Sequence, residues 1–524
     1  MFVVGVLGFA SGLPLALTGQ ALQAWLSVSG LDVATIGFLS LVGLPYTFKF
    51  LWAPLMDRFE LLPALGRRRG WLVATQLALA GTLLALAATP PQHSLQLFAL
   101  LALLTAFVSA SQDVVIDAYG TDLLPQAERG LGSSLKVLGY RLAMILSGGI
   151  ELIWTDAVTG SGWTWPQVYR LMAGIMAGTA LFSALALPRL KTAAAPQSVA
   201  RHDLVGFAAV LAAAFAGYLF TLQLATPLAG WLLRPLLAGS GLAAALQARW
   251  IDLLALVFGI AFTLPLAGWA ARRARFETLL GGLGSYFAQP GAAAFLLFIV
   301  LYMLGDAFAG ALMTPFLLQA MAFSSAEVGV VNKVIGLWLT IGGALVGGAL
   351  MLRLGLWRAL MLFGVLQAAS NLGFWWLAAF GKGSLPGLVI PAFDWGLVAL
   401  KQAAPVDGGL LMVVAFENLS GGMGTAAFVA FLMALTQQRF TATQYALLSA
   451  FASVGRVGGA DGRRAGRIHR LAQLLHRLHR AGAAGAGDAG AAEGQRAAAG
   501  GGARQRRRGR LRATEGDQGH CSGT

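Results

Sequence analysis

The ionisable residues best placed to do chemistry lie between Ser109 and Arg141, in SASQDVVIDAYGTDLLPQAERGLGSSLKVLGYR. Asp113, Asp117, Asp122, Glu128, Arg129, Lys136 and Arg141 interrupt apolar stretches that run in from Leu95 and leave through Ile145. Charge inside a membrane-spanning helix is costly unless paired or hydrated, so each such residue is a functional candidate. Asp113 and Asp117 are four apart, on one face of a helix. Burial favours a neutral carboxyl group and a nearby cation favours the carboxylate, and that opposition suits a proton carrier. At about 1.5 Å of rise per helical residue, Lys49, Asp113 and Arg141 fall at similar depth. With Lys136 they form the expected charge network; the alternative is a permanent ion-pair lock. Asp306 and Glu417 are two further intramembrane acids that could carry a proton, or pair with Lys333 and Arg456.

Neutral and aromatic groups supply the candidates for substrate contact. Gln23, Gln112 and Asn418 could hydrogen-bond a sugar–peptide, or could bond helix to helix. Trp25, Tyr46, Tyr140 and Trp338 could stack on sugar faces, although interfacial or core packing is the commoner fate of such residues. Asp57, Arg58, Arg67, Arg68, Arg69 and Arg129 flank short loops, and Asp117 and Asp122 lie within reach of them. Together they are expected to form a gating latch at the cytoplasmic end. The sequence has no phosphate loop, HExxH motif or convincing GxSxG elbow. No metal site is expected, because His469, His476 and His479 fall in an anomalous tail.

The elements that must position these groups follow from composition. Of 524 residues, 57% are hydrophobic and 11% charged, and the mean hydropathy is +0.71. Soluble domains carry roughly 25% charged residues, so the chain is read as an all-α polytopic membrane protein, since lipid leaves free backbone groups unsatisfied. Spans of about 20 apolar residues are expected near 2–27, 35–56, 70–88, 95–119, 131–155, 167–188, 204–223, 250–270, 292–320, 327–351, 356–380, 409–436 and 442–457. The first segment lacks a basic n-region and a cleavage site and is read as span 1. The sole cysteine, Cys521, excludes an internal disulfide. Arginine and lysine concentrate in the loops after even-numbered spans, which puts those loops and the N-terminus in the cytoplasm. The net charge of +15 is therefore no sign of a nucleic-acid partner; the lipid bilayer is the expected environment.

The chain also repeats itself. DRFELLPALGRRRGW (Asp57 to Trp71) resembles the signature loop between spans 2 and 3 of the major facilitator superfamily, with Ala53 in place of the leading glycine and an insertion before Gly66. GGALMLRLGLWRAL repeats it between spans 10 and 11, with Gly347, Gly348, Arg353, Gly355 and Arg358. Two six-helix halves are a known transporter plan. The expected units are an N-terminal half (1–188), a linker with two extra spans (189–291), a C-terminal half (292–456) and a tail (457–524).

Five segments make the resemblance specific: Gly8–Leu26, Thr35–Arg58, Gly66–Gln76, Ser109–Leu142 and Tyr445–Arg456. They look like the AmpG muropeptide permeases. That resemblance implies a fourteen-span inner-membrane transporter, not an enzyme, that imports GlcNAc-1,6-anhydroMurNAc sugars and peptides. It further implies proton symport with no cofactor beyond the proton gradient, and roles in peptidoglycan recycling and β-lactamase induction. A monomer is expected. The alternatives are an acetyl-CoA or drug carrier on the same fold, or a polytopic enzyme or sensor of lipid-linked cell-wall intermediates. After Arg456 the pattern departs: residues 457–524 hold thirteen Arg and five acids, a net +8. The Gly-, Ala- and Arg-rich composition is what an out-of-frame reading produces; the alternative is a genuine basic tail that contacts anionic lipid or nucleic acid. On the out-of-frame expectation span 13 is short, span 14 is missing and the chain transports poorly.

Overall fold

The computed structural model describes residues 1–31, 39–92, 94–155, 162–190, 198–391, 393–394, 399–400 and 403–460. The anomalous tail lies almost wholly outside the described residues. Among them, nine helical segments are long and apolar enough to cross a membrane. The pair Glu277–Phe287 and Ala292–Gly305, bent by 90°, makes a tenth if taken as one broken span.

The difference from the thirteen expected spans has local causes. Span 2 is broken: past the undescribed 32–38 it consists of a tight turn at Ser40–Gly43, the helix Leu44–Phe48, a second tight turn at Lys49–Leu51 and the helix Ala53–Arg58. Pro45 and Pro54 stand at the starts of these pieces, where a missing N–H does least harm. Spans 10 and 11 run together as Leu337–Phe380, parted only at Gly355 with φ 75° and ψ 161°. Gly66, with φ 78° and ψ 166°, opens span 3 (Arg67–Ala88). Both signature loops thus turn on a glycine in nearly the same left-handed conformation, which side chains with a Cβ avoid.

Close helix packing holds each half together. Span 1 comprises Phe2–Thr18 and Gln20–Val28, bent at Gly19. It lies against span 5, which comprises Arg129–Ile145, a π-turn at Leu146–Ile150 and Glu151–Thr155. A Cβ on Gly139 would collide with the carbonyl of Gly5, and one on Gly8 with that of Lys136. Small residues let backbones approach this closely in membranes, where packing replaces the hydrophobic effect. In the second half Gly343 meets the Leu419 carbonyl and Gly422 that of Thr340, joining span 10 to span 12 (Gly408–Ala434).

The extra pair, spans 7 (Ala200–Ala238) and 8 (Leu246–Arg273), is only 22% and 11% buried in its apolar windows, so it stands at the periphery. Between spans 11 and 12 the chain forms a small antiparallel element that hydropathy does not announce. Leu388–Ile390 pairs with Ala404–Val406, and Phe393–Asp394 with Ala399–Leu400.

Candidate functional site: a charge network between a cleft and a latch

Two aspartates on span 4 (Leu95–Leu123) meet cations from two neighbouring helices. The break in span 2 places Lys49 at a tight turn, buried at 7% exposure. Its Nζ lies 3.6 Å from Asp117 Oδ2 and 4.0 Å from Asp113 Oδ2. Lys136 of span 5 donates to Asp117 Oδ1 and sits 5.6 Å above the ring of Tyr445 on span 13. The Ser11 hydroxyl of span 1 donates to Asp113 Oδ1 at 2.5 Å. Two negative and two positive groups therefore balance in a region where an unpaired charge would be costly.

This arrangement joins Asp113, Lys49 and Lys136 as the sequence suggests, and adds Asp117, which was expected at the latch. One turn along span 4 is enough to move Asp117 out of reach of the loop arginines and onto the lysines. Arg141 is half-buried and makes no hydrogen bond or ion pair among the described residues. Glu417 is half-buried and accepts from Asn418 Nδ2 at 3.0 Å. The side chains of Asp306, Lys333 and Arg456 lie outside the described residues, although their helices do not.

At one end of the bundle the loops after spans 2, 4, 6 and 12 come together. Asp57 is fully buried. Its Oδ1 accepts from Arg68 Nη2 at 2.8 Å and from the Ala442 amide at 3.2 Å. Its Oδ2 accepts from the Thr443 amide at 2.8 Å and the Thr443 hydroxyl at 2.7 Å. Asp122 accepts from Arg68 Nε at 2.9 Å and from the Thr441 hydroxyl at 2.7 Å. Two carboxylates of the first half thus meet the first turn of span 13 (Thr441–Ala460), where free amides and the helix dipole favour negative charge. Arg129 Nη1 adds a 3.0 Å bond to the Met433 carbonyl at the end of span 12.

The remaining loop cations secure the surroundings. Arg67 donates to the Asp57 carbonyl at 2.8 Å and Arg69 to the Leu187 carbonyl at 3.1 Å. Arg58 bonds Ser198 and approaches buried Asp203 at 3.6 Å. Asp203 also accepts from the Thr278 hydroxyl at 2.7 Å, tying the linker to Glu277–Phe287. Thr441, Thr443 and Asp203 are the latch partners that sequence reasoning missed. The two threonines at the start of a predicted helix are an N-terminus signal, but nothing in the sequence says which carboxylate they meet.

Toward the other end, a small open cleft lies between spans 1 and 2, lined by Thr18, Leu22, Gln23, Leu39 and Tyr46 among others. Tyr46 donates to Ser109 Oγ at 2.7 Å, linking the cleft to span 4. Of the substrate-contact candidates, Gln23 and Tyr46 line this cleft. Trp25 faces the core, with ring centroids 4.9 Å from Tyr169 and 5.1 Å from Phe98. Gln112 is buried and donates to the Ala10 carbonyl at 2.7 Å, a helix-to-helix bond. Asn418 accepts from the Thr340 hydroxyl at 2.9 Å, joining spans 12 and 10. Tyr140 is half-buried, and Trp338 is exposed and does not line the cleft.

The anhydromuropeptide permease of Escherichia coli (strain K12) is 41% identical over 452 residues, covering 86% of this chain and 71% of that protein. The chain belongs to the anhydromuropeptide permease family. An uncharacterized protein of Haemophilus influenzae is 33% identical over 457 residues, spanning 87% of this chain and 85% of that one. A putative transporter of Rickettsia conorii, AmpG 4, is 25% identical over 456 residues, spanning 87% and 86%. The family described as acetyl-coenzyme A transporter 1 matches residues 1–159 only. The permease relationship is the one that extends over both halves, and with the long apolar helices it makes the chain a multi-pass membrane protein.

Proposed function

We propose that this permease-family chain imports GlcNAc-1,6-anhydroMurNAc sugars and peptides across the bacterial inner membrane by proton symport. Its N-terminus and the latch face the cytoplasm. The observation that carries the reading is the placement of the balanced Lys49–Asp113–Asp117–Lys136 group between an open cleft and a closed latch, in a chain 41% identical to a named anhydromuropeptide permease.

The sequence of events follows from that geometry. Substrate enters the cleft beside Gln23 and Tyr46 while the Asp57–Arg68–Asp122 latch keeps the cytoplasmic side shut. A proton taken by Asp113 neutralises one of the two acids that share Lys49, so the lysine shifts its interaction to Asp117. Spans 1, 2, 4 and 5 all contribute to that group, so a change in its pairing bears on how the helices pack. Rocking of one half against the other, with release of the latch, then exposes the site to the cytoplasm. Such import would serve peptidoglycan recycling and β-lactamase induction. The carrier needs no cofactor beyond the proton gradient, works as a monomer in the bilayer, and has neither enzymatic activity nor a nucleic-acid partner.

The match of residues 1–159 to an acetyl-coenzyme A transporter family favours a second reading, a carrier of acetyl-CoA. One assay separates the two: uptake of labelled anhydromuropeptide into vesicles holding the protein. Uptake that a protonophore abolishes and that excess unlabelled acetyl-CoA leaves unchanged supports muropeptide symport. Competition by acetyl-CoA favours the second reading, and uptake indifferent to the protonophore removes the symport claim.

A further inference from the structure

Glu151 is a buried carboxyl group that the charge network does not use. It follows directly on the π-turn Leu146–Ile150 in span 5, and it is 0% exposed. Neither carboxyl oxygen has a hydrogen-bond partner among the described residues. The contrast within the molecule is sharp. The other buried carboxylates described, Asp57, Asp117, Asp203, Glu327 and Asp407, each accept at least one hydrogen bond.

Among the described residues, the surroundings of Glu151 hold no cation to replace water. The turn and helix that carry it pack against span 1, and Phe2–Val28 has no ionisable side chain. Gly148, one turn earlier, sits so close to span 1 that a Cβ there would lie 3.2 Å from Ala16 Cβ. From span 6 (Trp165–Ala186) the titratable neighbour is Tyr169, whose hydroxyl is already donated to the Leu17 carbonyl at 2.7 Å. Arg170, the next residue, is exposed. Asp156 lies outside the described residues. A carboxylate enclosed without donors is strongly disfavoured against the neutral acid. Glu151 is nonetheless only one helix away from water: Gln20–Val28, which packs on it, supplies Leu22, Gln23 and Leu26 to the cleft. The π-turn beside it is a feature concentrated at functional sites in helices.

We propose that Glu151 is a second proton-binding site of the transport cycle, separate from the Asp113 network. It holds its proton in the packed arrangement and exchanges it with cleft water when the seam between spans 1, 5 and 6 opens. The proton sits on one carboxyl oxygen, arrives from water and returns to water, and no other reactant is consumed. Protonation therefore favours the packed seam and ionisation the open one. The inference rests on the proton-symport reading.

The test uses the full chain in proteoliposomes. Accumulation of labelled anhydromuropeptide driven by a pH gradient is compared with exchange against preloaded substrate, in the parent, E151Q and E151D. The carboxylic-acid C=O stretch is followed by infrared difference spectroscopy between acid and alkaline pH. The expected result is a ratio of accumulation to exchange at least about 10-fold lower in E151Q, the size of an ordinary coupling between sites. E151D should recover part of it, and E151Q should lose one carboxylic-acid band. An unchanged ratio overturns the proposal. So does a proportional fall in both activities without recovery in E151D, which would mark a packing role. If the parent itself ignores a protonophore, the symport reading has failed; the infrared band then decides alone whether Glu151 binds a proton.

Discussion

Asp57 and Thr443 stand 386 positions apart in the chain and are joined by two hydrogen bonds to one carboxylate oxygen, at 2.8 Å from the amide and 2.7 Å from the hydroxyl. One bond uses backbone and the other side chain, so the contact fixes both the position and the rotation of the first turn of span 13. Arg68, 2% exposed, supports it by bridging Asp57 to Asp122. The latch therefore closes the two halves through a helix N-terminus and not through a simple pair of opposite charges.

The first prediction is that Asp57→Asn and Thr443→Ala are not additive. Asparagine keeps the size of the group but gives up the charge, and hydrogen bonds to charged groups are worth about 1.5–3 kcal/mol. A double-mutant cycle on thermal unfolding in detergent should give a coupling of about 1–2 kcal/mol, within the range for residues in contact. Additive losses would mean that the two residues do not hold each other. Arg68→Lys should also weaken the latch, because a lysine cannot reproduce a planar two-carboxylate bridge.

A second prediction separates a proton carrier from a permanent lock. Asp113→Asn alone leaves one surplus positive charge, and Lys49→Met alone leaves one surplus negative charge. Breaking a buried pair costs about 3–5 kcal/mol when the remaining charge is fully enclosed; here Asp113 keeps 16% exposure of its side chain, so the cost should be lower. Combining the two changes restores the balance and should recover folded yield. If Asp113 carries the proton, the double variant still fails to accumulate substrate against a pH gradient. Recovery of accumulation along with yield would identify the pair as a lock.

The third prediction concerns the seam of spans 1 and 5. Gly139→Ala places a Cβ against the Gly5 carbonyl, a backbone atom that cannot rotate away. Overpacking typically destabilises by about 1–3 kcal/mol, and Tm should fall accordingly. Gly149→Ala, on the same span but with open space around its Cβ position, should leave Tm nearly unchanged. Equal effects at the two sites would argue against the close approach.

How much of this was legible in the sequence depends on whether a feature is local. Gly66 and Gly355 could be set in register because the repeat is a short string, and their matching backbone angles follow from it. The charge cluster was legible because aspartates and lysines stand out in apolar helices. What one sequence does not contain is rotation about a helix axis. Asp117 and Asp122 differ by five residues, yet one meets the lysines and the other Arg68 and Thr441. Trp25 is two residues from Gln23, yet it turns into the aromatic core. The breaks in span 2 were also hidden, since hydropathy sums over Pro45 and Pro54 without registering the turn that carries Lys49.

The last prediction uses that rotation to separate substrate contact from core packing. Gln23 is exposed and lines the cleft, while Tyr46 lines it with its hydroxyl held by Ser109. Gln23→Ala removes a neutral hydrogen-bonding group that faces open space, so folding has little to lose. A net hydrogen bond of about 0.5–1.5 kcal/mol corresponds to a rise in the KM for uptake of roughly 2–12-fold, with Tm unchanged. Trp25→Ala should do the reverse. It empties space beside Phe98, Trp165 and Tyr169, and loss of a buried aromatic costs about 3–5 kcal/mol. The fall should appear in Tm and in membrane abundance, while KM per folded molecule holds. Measuring uptake kinetics and melting on the same two preparations decides the matter. A KM shift confined to Trp25→Ala would move the substrate path away from this cleft and into the aromatic cluster behind it.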